Sequence, residues 1–172
     1  MKQVKKKVLI AIVAFVFLFI LLIPEQLIIP VAGANKLDWH KDTFWYEPWG
    51  KSGVHKGIDI FADKGASLLS ASHGIVLYTG NLSLGGKVII ILAPKWRIHY
   101  YAHLDSIIAK PMQLVNSGEA IGSVGDTGNA KGKPPHLHYS IITLLPYLWK
   151  IDGSNQGWKK AFYLDPNDLL TQ

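Results

Sequence analysis

Three histidine patterns contain the residue types of a metal-dependent hydrolase. His55 lies four residues before Asp59, His136 and His138 lie two residues apart, and His103 follows a short tyrosine-rich run. Zinc hydrolases use three protein ligands drawn from histidine and carboxylate side chains, and they keep a fourth position open for water. His55, Asp59 and one histidine of the His136/His138 pair supply such a set. Two histidines then remain for proton transfer.

Two of these patterns also have a plain structural explanation when each is taken alone. Gly57 disfavours a helix, so the segment HKGID predicts His55 at the end of a loop and Asp59 inside the following strand. By itself the pair is typical of a surface histidine and a turn aspartate. His103 by itself is typical of a structural histidine at the end of a strand.

The segment His136-Leu137-His138 is more informative, because its two histidines are separated by one residue, as are side chains on the same face of a strand. Alternate side chains of a strand point to one face, so both imidazoles project together and Leu137 points toward the core. Such a pair suits a metal ligand beside a proton-transfer group. The spacing leaves open which of the two histidines binds the metal. The combination of all three patterns indicates a metal-assisted hydrolysis.

The elements that position these residues are short β-type runs separated by turns. Turn residues such as Gly85-Gly86 and Asn116-Ser117-Gly118 separate the runs, and no long 3.6-residue period follows residue 34. The pattern predicts an all-β sandwich or barrel, with a packed C-terminal tail after residue 144. The predicted strands are Gly57–Phe61, Leu68–Ala71, Gly74–Thr79, Lys87–Leu92, Ile98–His103, Ala120–Val124 and His136–Ile142.

The N-terminus predicts export of this domain. Residues 1–7 contain four lysines and no acid, and they read as a cytoplasmic basic tail. Residues 8–23 carry no polar side chain, and an extension through Pro24 to residue 31 predicts a transmembrane signal anchor over 8–31. The alternative is a signal peptide cleaved after Ala32-Gly33-Ala34. In both cases residues 35–172 form the exported domain.

Composition narrows the function classes further. There are no cysteines, which excludes disulfides, thiolate metal ligands and a cysteine nucleophile. The net charge is +6, but four of the 18 basic residues lie in the tail, which leaves 14 against 12 acidic residues. Because no basic patch remains elsewhere, the sequence predicts no nucleic-acid partner.

Taken in order, the segments HKGID, YAHL, VNSGEAIGSVGDTGNAKGKPP and HLHYSI resemble the lysostaphin-type, LytM-like zinc metallopeptidases, which are peptidoglycan endopeptidases. The resemblance covers about residues 49–142 together with the tail YLDPNDLL. It implies a compact, mostly antiparallel, duplicated-hybrid-motif-like β fold with an open groove. The glycine-rich segment 125–135 would form part of the groove wall. Trp49 is a further candidate to line the groove, as are Trp45 and Tyr46, although packing into the core is expected for at least two of these three.

The resemblance also implies the role of each site residue. His55, Asp59 and His138 would bind one zinc ion, and His103 and His136 would form the catalytic pair that activates water and stabilises the oxyanion. The expected substrate is peptidoglycan peptide. The expected location is the bacterial inner (cytoplasmic) membrane, single-pass, with the zinc metallopeptidase domain on the extracytoplasmic side. His40, His73 and His99 match no motif position and are expected to be structural.

Two other functions remain as alternatives. Some LytM-like relatives are noncatalytic activators or scaffolds of cell-wall amidases, and envelope protein regulators are possible partners in either case. A D,D-dipeptidase of the other zinc type uses a longer His-to-Asp spacing and a separate Glu-x-x-His. The four-residue offset of His55 and Asp59 argues against that type.

Overall fold

The computed structural model describes residues 2–170 as an N-terminal helix followed by a β domain. Short 3-10 helices connect the strands, and all strand pairs are antiparallel. The elements are α1 (Lys2–Leu22), β1 (Ile58–Phe61), β2 (Ser67–Leu69), β3 (Gly74–Leu82), β4 (Gly86–Ala93), β5 (Arg97–Ile107), β6 (Leu114–Val115), β7 (Ala120–Val124), β8 (His136–Thr143), β9 (Tyr163–Leu164) and α2 (Pro166–Leu170).

The nine strands form one continuous hydrogen-bonded sheet. Its main path runs β1-β8-β5-β4-β3-β6, while β7 pairs with β2 and β5, and β9 pairs with β8. The mostly antiparallel all-β prediction is therefore confirmed. Each of the seven predicted strands has a counterpart, whereas the two-residue strands β6 and β9 were not predicted.

Side-chain alternation in β8 separates the core from the groove. Leu137, Tyr139 and Ile141 are fully buried in the hydrophobic core. The alternate residues His136 and His138 line an open groove on the other face. The burial of the three apolar side chains fixes the register of β8, because a slip by one residue would exchange the two faces.

Strand β5 departs from this alternation at one residue. Ala102 and His103 are neighbours in the chain, yet both line the groove. His103 has φ +66°, in the left-handed region, and the pairing of β5 with β4 shifts register between the Lys87–Leu104 and Ile89–Tyr101 pairs. A positive φ at a residue other than glycine is uncommon and is held only by surrounding structure. The irregularity turns the His103 imidazole toward the groove.

Residues 24–34, which we call the N-terminal strap, contain no helix and pack against the domain. The strap pairs with β2 through a bridge between Val31 and Leu68, and Leu69 N–H donates to Pro30 O at 2.9 Å. The Glu25 side chain is fully buried, accepts from Arg97 Nη1 at 2.5 Å and lies 3.0 Å from His99 Nε2. The strap thus contributes both a strand-like edge and a buried carboxylate to the domain.

The observed N-terminal helix is shorter than the membrane anchor predicted over residues 8–31. Helix α1 ends at Leu22, and the following residues form the strap instead of continuing the helix. Pro24 cannot extend a helix without losing a backbone hydrogen bond, and Glu25 finds its partners about seventy residues later in the chain. Within residues 2–170, no helix is both long enough and apolar enough to cross a bilayer.

Candidate metal centre and catalytic histidines

Three neighbouring strands bring the predicted site residues side by side. Asp59 in β1 lies directly opposite His138 in β8, and His138 lies opposite Ala102 in β5. His55 enters from the loop that precedes β1. Because β8 is the central strand of the three, residues that are more than eighty positions apart in sequence, such as His55 and His138, meet in one row.

The atoms of the predicted ligand set converge on one point. His138 Nδ1 lies 2.8 Å from Asp59 Oδ1 and 3.0 Å from His55 Nε2, and His55 Nε2 lies 3.1 Å from Asp59 Oδ1. Donor atoms around a tetrahedral zinc ion at roughly 2.0–2.1 Å stand about 3.3 Å apart. The observed triangle is slightly tighter than that, so a small outward movement would admit the ion.

The tautomer of His55 makes this triangle a set of electron-pair donors. Its Nδ1 lies 2.9 Å from Thr43 O, and a carbonyl can only accept, so Nδ1 carries the proton and Nε2 presents a lone pair. His138 Nε2 lies 3.0 Å from Ser140 Oγ, which can accept a hydrogen bond from Nε2–H and so leave the lone pair of His138 Nδ1 free. Two imidazole lone pairs and one carboxylate oxygen then face each other, as a divalent cation requires. The residues present therefore fit a metal ion.

The electrostatics of the triangle keep Asp59 ionised. Burial alone would raise the pKa of Asp59, but hydrogen bonds and charge from His138 and His55 outweigh it, and its pKa lies well below the ordinary value. Burial lowers the pKa of His138, and this effect exceeds the opposing attraction of Asp59. Both shifts favour the forms that bind metal, a charged carboxylate and a neutral imidazole.

His103 and His136 stand beside the triangle with matching tautomers. His103 Nδ1 donates to Thr127 O at 2.9 Å, and His136 Nδ1 donates to Pro134 O at 2.8 Å, so each ring has Nε2 available as a base. Their ring centroids are 5.0 Å apart, and His136 Nε2 lies 3.9 Å from Asp59 Oδ2. Burial and the neighbouring histidines lower the pKa of His103 to about 4.

Thr127 connects His103 to the frame of the groove. Its carbonyl accepts from the His103 ring, and its hydroxyl accepts from Lys87 N–H and donates to Leu104 O, both at 2.9 Å. Three chain segments therefore meet at this one side chain. It lies in the glycine-rich segment 125–135, which does form a groove wall, as predicted.

The other wall is aromatic. Trp49 stacks on His55 with ring centroids 4.0 Å apart and an interplanar angle of 20°, and it lines the groove. Trp45 instead contacts Tyr163. Tyr46 is more than half exposed, and none of the three aromatic residues belongs to the buried core, so the expectation of core packing for at least two of them is wrong.

The three histidines without a motif position lie apart from the site. His99 is buried against Glu25 and Tyr139 behind the sheet, and His40 and His73 are exposed on the surface. All five predicted site residues, by contrast, line the groove. Sequence reasoning missed the anchoring carbonyls of Thr43, Thr127 and Pro134. No pattern could have indicated them, since every residue has a carbonyl.

An all-β domain that places three candidate metal ligands and two further imidazoles in one groove has the arrangement that metal-assisted hydrolases use. More particularly, the chain belongs to Peptidase family M23, which matches residues 53–150. The chain is also 34% identical over 88 residues to the peptidoglycan DD-endopeptidase ShyA of Vibrio cholerae, which covers 51% of this chain and 20% of that protein.

Named relatives of the chain include proteins of two kinds. It is 36% identical over 115 residues to the L-Ala--D-Glu endopeptidase of Bacillus subtilis (strain 168), which covers 62% of this chain and 35% of that protein. It is 35% identical over 105 residues to the murein hydrolase activator NlpD of Salmonella dublin, covering 60% and 27%. The chain thus spans about a third or less of these relatives.

A solved structure agrees with the fold. The catalytic domain of the antimicrobial peptidase lysostaphin from Staphylococcus simulans superposes with a TM-score of 0.62 at 25% identity, over 76% of this chain and 90% of that one. The predicted resemblance to the lysostaphin-type family is therefore confirmed.

Proposed function

We propose that the chain is a zinc endopeptidase that hydrolyses peptide bonds of bacterial peptidoglycan, with one zinc ion per domain. The observation that carries the proposal is the convergence of His55, Asp59 and His138 beside the two free imidazoles of His103 and His136. A zinc ion held by the three donors would lower the pKa of a bound water toward about 7 and polarise the scissile carbonyl.

The remaining chemistry belongs to the two histidines beside the metal triangle. The neutral Nε2 of one histidine accepts the proton of the attacking water as the new C–O bond forms. The same ring then donates this proton to the departing amine as the C–N bond breaks. The second ring, when protonated, donates a hydrogen bond to the oxyanion of the tetrahedral intermediate. The low pKa of His103 keeps its ring neutral at physiological pH, so its Nε2 lone pair is available to accept a proton.

The test uses the full-length chain loaded with zinc and incubated with peptidoglycan sacculi. We expect about one zinc per chain by elemental analysis and released peptides by mass spectrometry, which also identifies the bond that is cut. His103→Ala should retain zinc and lose turnover. His73→Ala is the matched control, because His73 is exposed and lies outside the groove. If sacculi and cross-linked muropeptides remain intact after incubation with the zinc-loaded wild type, the proposed endopeptidase activity is refuted.

A second candidate function is the noncatalytic activation of a cell-wall amidase. The similarity to the activator NlpD supports it, whereas the complete set of five site residues supports the enzyme. The two functions differ in their need for the metal. In cells that lack the chromosomal copy, His55→Ala should fail to restore the wild-type phenotype if the chain is an enzyme. Full restoration would favour the activator.

The extracytoplasmic location at the membrane stays a prediction. It is supported by the apolar surface of α1, on which Leu9, Phe15 and Leu22 are each more than half exposed. This helix contacts the domain through Trp96, whose ring stacks on Phe17 at 5.1 Å. Fractionation of cells, with protease accessibility of the domain as the second readout, tests both the membrane attachment and the side on which the domain lies.

A further inference from the structure

Polar and apolar side chains are unevenly distributed along the groove, and this distribution restricts the kind of substrate that fits. The groove encloses about 640 Å³ around the five site residues. Much of its remaining lining is apolar or aromatic, and the residues that matter here are Trp49, Phe61, Leu82, Leu84, Tyr100 and Ile142. Such walls suit the uncharged backbone and small side chains of a peptide. They provide no group that would hold a charged substituent.

Lys133 is the exception among the lining residues. Apart from the histidines it is the one cationic side chain on the groove wall within residues 2–170. Asp59 is occupied by His55 and His138, and no carboxylate in that range lies within 4.0 Å of the Lys133 ammonium. Other lysines differ in this respect, since Lys64 pairs with Asp126 and Lys160 pairs with Asp152.

The short chain segment between Lys133 and His136 limits how far Lys133 can lie from the catalytic histidines. Lys133 precedes His136 by three residues, so their Cα atoms are at most about 10–11 Å apart. Lys133 N–H donates to Ala130 O at 2.9 Å, and Pro134 and Pro135 restrict the backbone that follows. An extended substrate covers the same distance in about three residues. The ammonium therefore lies within reach of a group close to the scissile bond.

We propose that Lys133 binds a free carboxylate of the substrate peptide, within about three residues of the bond that is cut, and so selects acidic peptides over amidated ones. The inference rests on the proposed function and specifies its substrate. Peptidoglycan peptides carry free carboxylates of two kinds, from acidic residues within the peptide and from the chain end. Both present the same chemistry to an ammonium group.

The experiment compares three forms of one purified cross-linked muropeptide with the full-length, zinc-loaded protein. One form has all carboxylates free, one is amidated at the internal acidic residue, and one is amidated at the chain end. For Lys133→Gln we expect KM to rise about fivefold on the free form, with kcat nearly unchanged, because an exposed ion pair contributes modestly. The amidated form that removes the recognised carboxylate should show no such difference. The position of the amide in that form identifies the carboxylate that Lys133 binds, either the one within the peptide or the one at the chain end.

The control variant is Lys131→Gln, because Lys131 is exposed in the same loop but does not line the groove. Lys131→Gln should keep the wild-type preference, and Lys133→Arg should retain most of it. If Lys133→Gln and Lys131→Gln behave alike, or if wild type treats all three forms equally, Lys133 does not bind a carboxylate.

A binding measurement separates this proposal from the proposed function. Tryptophan fluorescence reports titration of the same three muropeptides into wild type and Lys133→Gln, without any need for turnover. The wild type could cleave nothing and still bind the free form about fivefold more tightly than Lys133→Gln does. That result would refute the proposed endopeptidase activity and support carboxylate binding by Lys133. If binding is equal in both proteins, the carboxylate site is refuted whether or not the enzyme is active.

Discussion

Replacing the buried carboxylate of the strap tests whether this segment is part of the folded domain. The Glu25 side chain is fully buried, and its partners Arg97 and His99 belong to β5. Removing one partner of a buried ion pair typically costs about 3–5 kcal/mol, since the other charge is left without compensation. Glu25→Gln keeps the shape and one acceptor oxygen, so we expect the lower end of that range, about 3 kcal/mol.

The assay is thermal unfolding of the full-length protein in detergent, followed by circular dichroism. For a domain of this size about 3 kcal/mol corresponds to a fall in Tm of roughly 6–12 °C. The matched control is Glu47→Gln, because Glu47 is exposed. If Glu25→Gln unfolds within about 1 °C of Glu47→Gln, the strap does not contribute as described.

The pH dependence of this effect has a definite sign. Burial alone would raise the pKa of Glu25, but the hydrogen bond and charge of His99, together with Arg97, outweigh it, and the pKa lies below the ordinary value of 4.5. A carboxylate with a depressed pKa stabilises the fold above its unfolded pKa, and this contribution is lost as the pH falls through the folded value. The stability difference between wild type and Glu25→Gln should therefore be full at pH 7 and shrink below about pH 4.5.

A double substitution separates the ion pair from the general effect of mutation. Arg97 Nε is buried without an acceptor within residues 2–170, so the pair is incompletely satisfied. Replacing both charges, as in Glu25→Gln with Arg97→Met, should destabilise the protein by less than the sum of the single changes. Additive losses would show that the two side chains do not interact.

Two further predictions concern the groove. Chelation should abolish turnover while circular dichroism stays unchanged, because Asp59 and His138 lie on strands held by the core. Added zinc should restore turnover and raise Tm, and a chelated protein that unfolds would contradict this. Thr127→Val should lower kcat and cost about 1–3 kcal/mol of stability by leaving Lys87 N–H and Leu104 O unpaired, with zinc content unchanged. Thr127→Ser should behave nearly as wild type, and equal losses in both variants would assign the effect to the methyl group.

Strands were predicted well from the sequence wherever the alternation of residue types extended over several residues. The alternation in His136-Leu137-His138 predicted a shared face for both imidazoles, and they do share one. Strands β6 and β9 have two residues each, too few for a period to be visible. The extension of β5 beyond His103 was missed because the positive φ at that residue interrupts the alternation.

The sequence was less informative where a residue's position depends on contacts with residues far away along the chain. The apolar run before Pro24 suggested a longer helix, because the burial of Glu25 depends on Arg97 and His99, which no local pattern connects to it. The separate roles of His136 and His138 came from resemblance to a family, not from spacing. Their different tautomers depend on Pro134 O and Ser140 Oγ, and only the folded chain brings these acceptors into place.

The main-chain oxygens that hold His55, His103 and His136 have a consequence for how this groove can diversify. Exchanging the side chain at Thr43 or Pro134 leaves the oxygen in place as long as the loop follows the same course. Adding or removing one residue there shifts the oxygen by about 3.3–3.6 Å, beyond hydrogen-bond reach. At Thr43 and Pro134 the loops are therefore tolerant of substitution and intolerant of changes in length. Engineering of substrate preference should vary residue identity and keep the length of every loop.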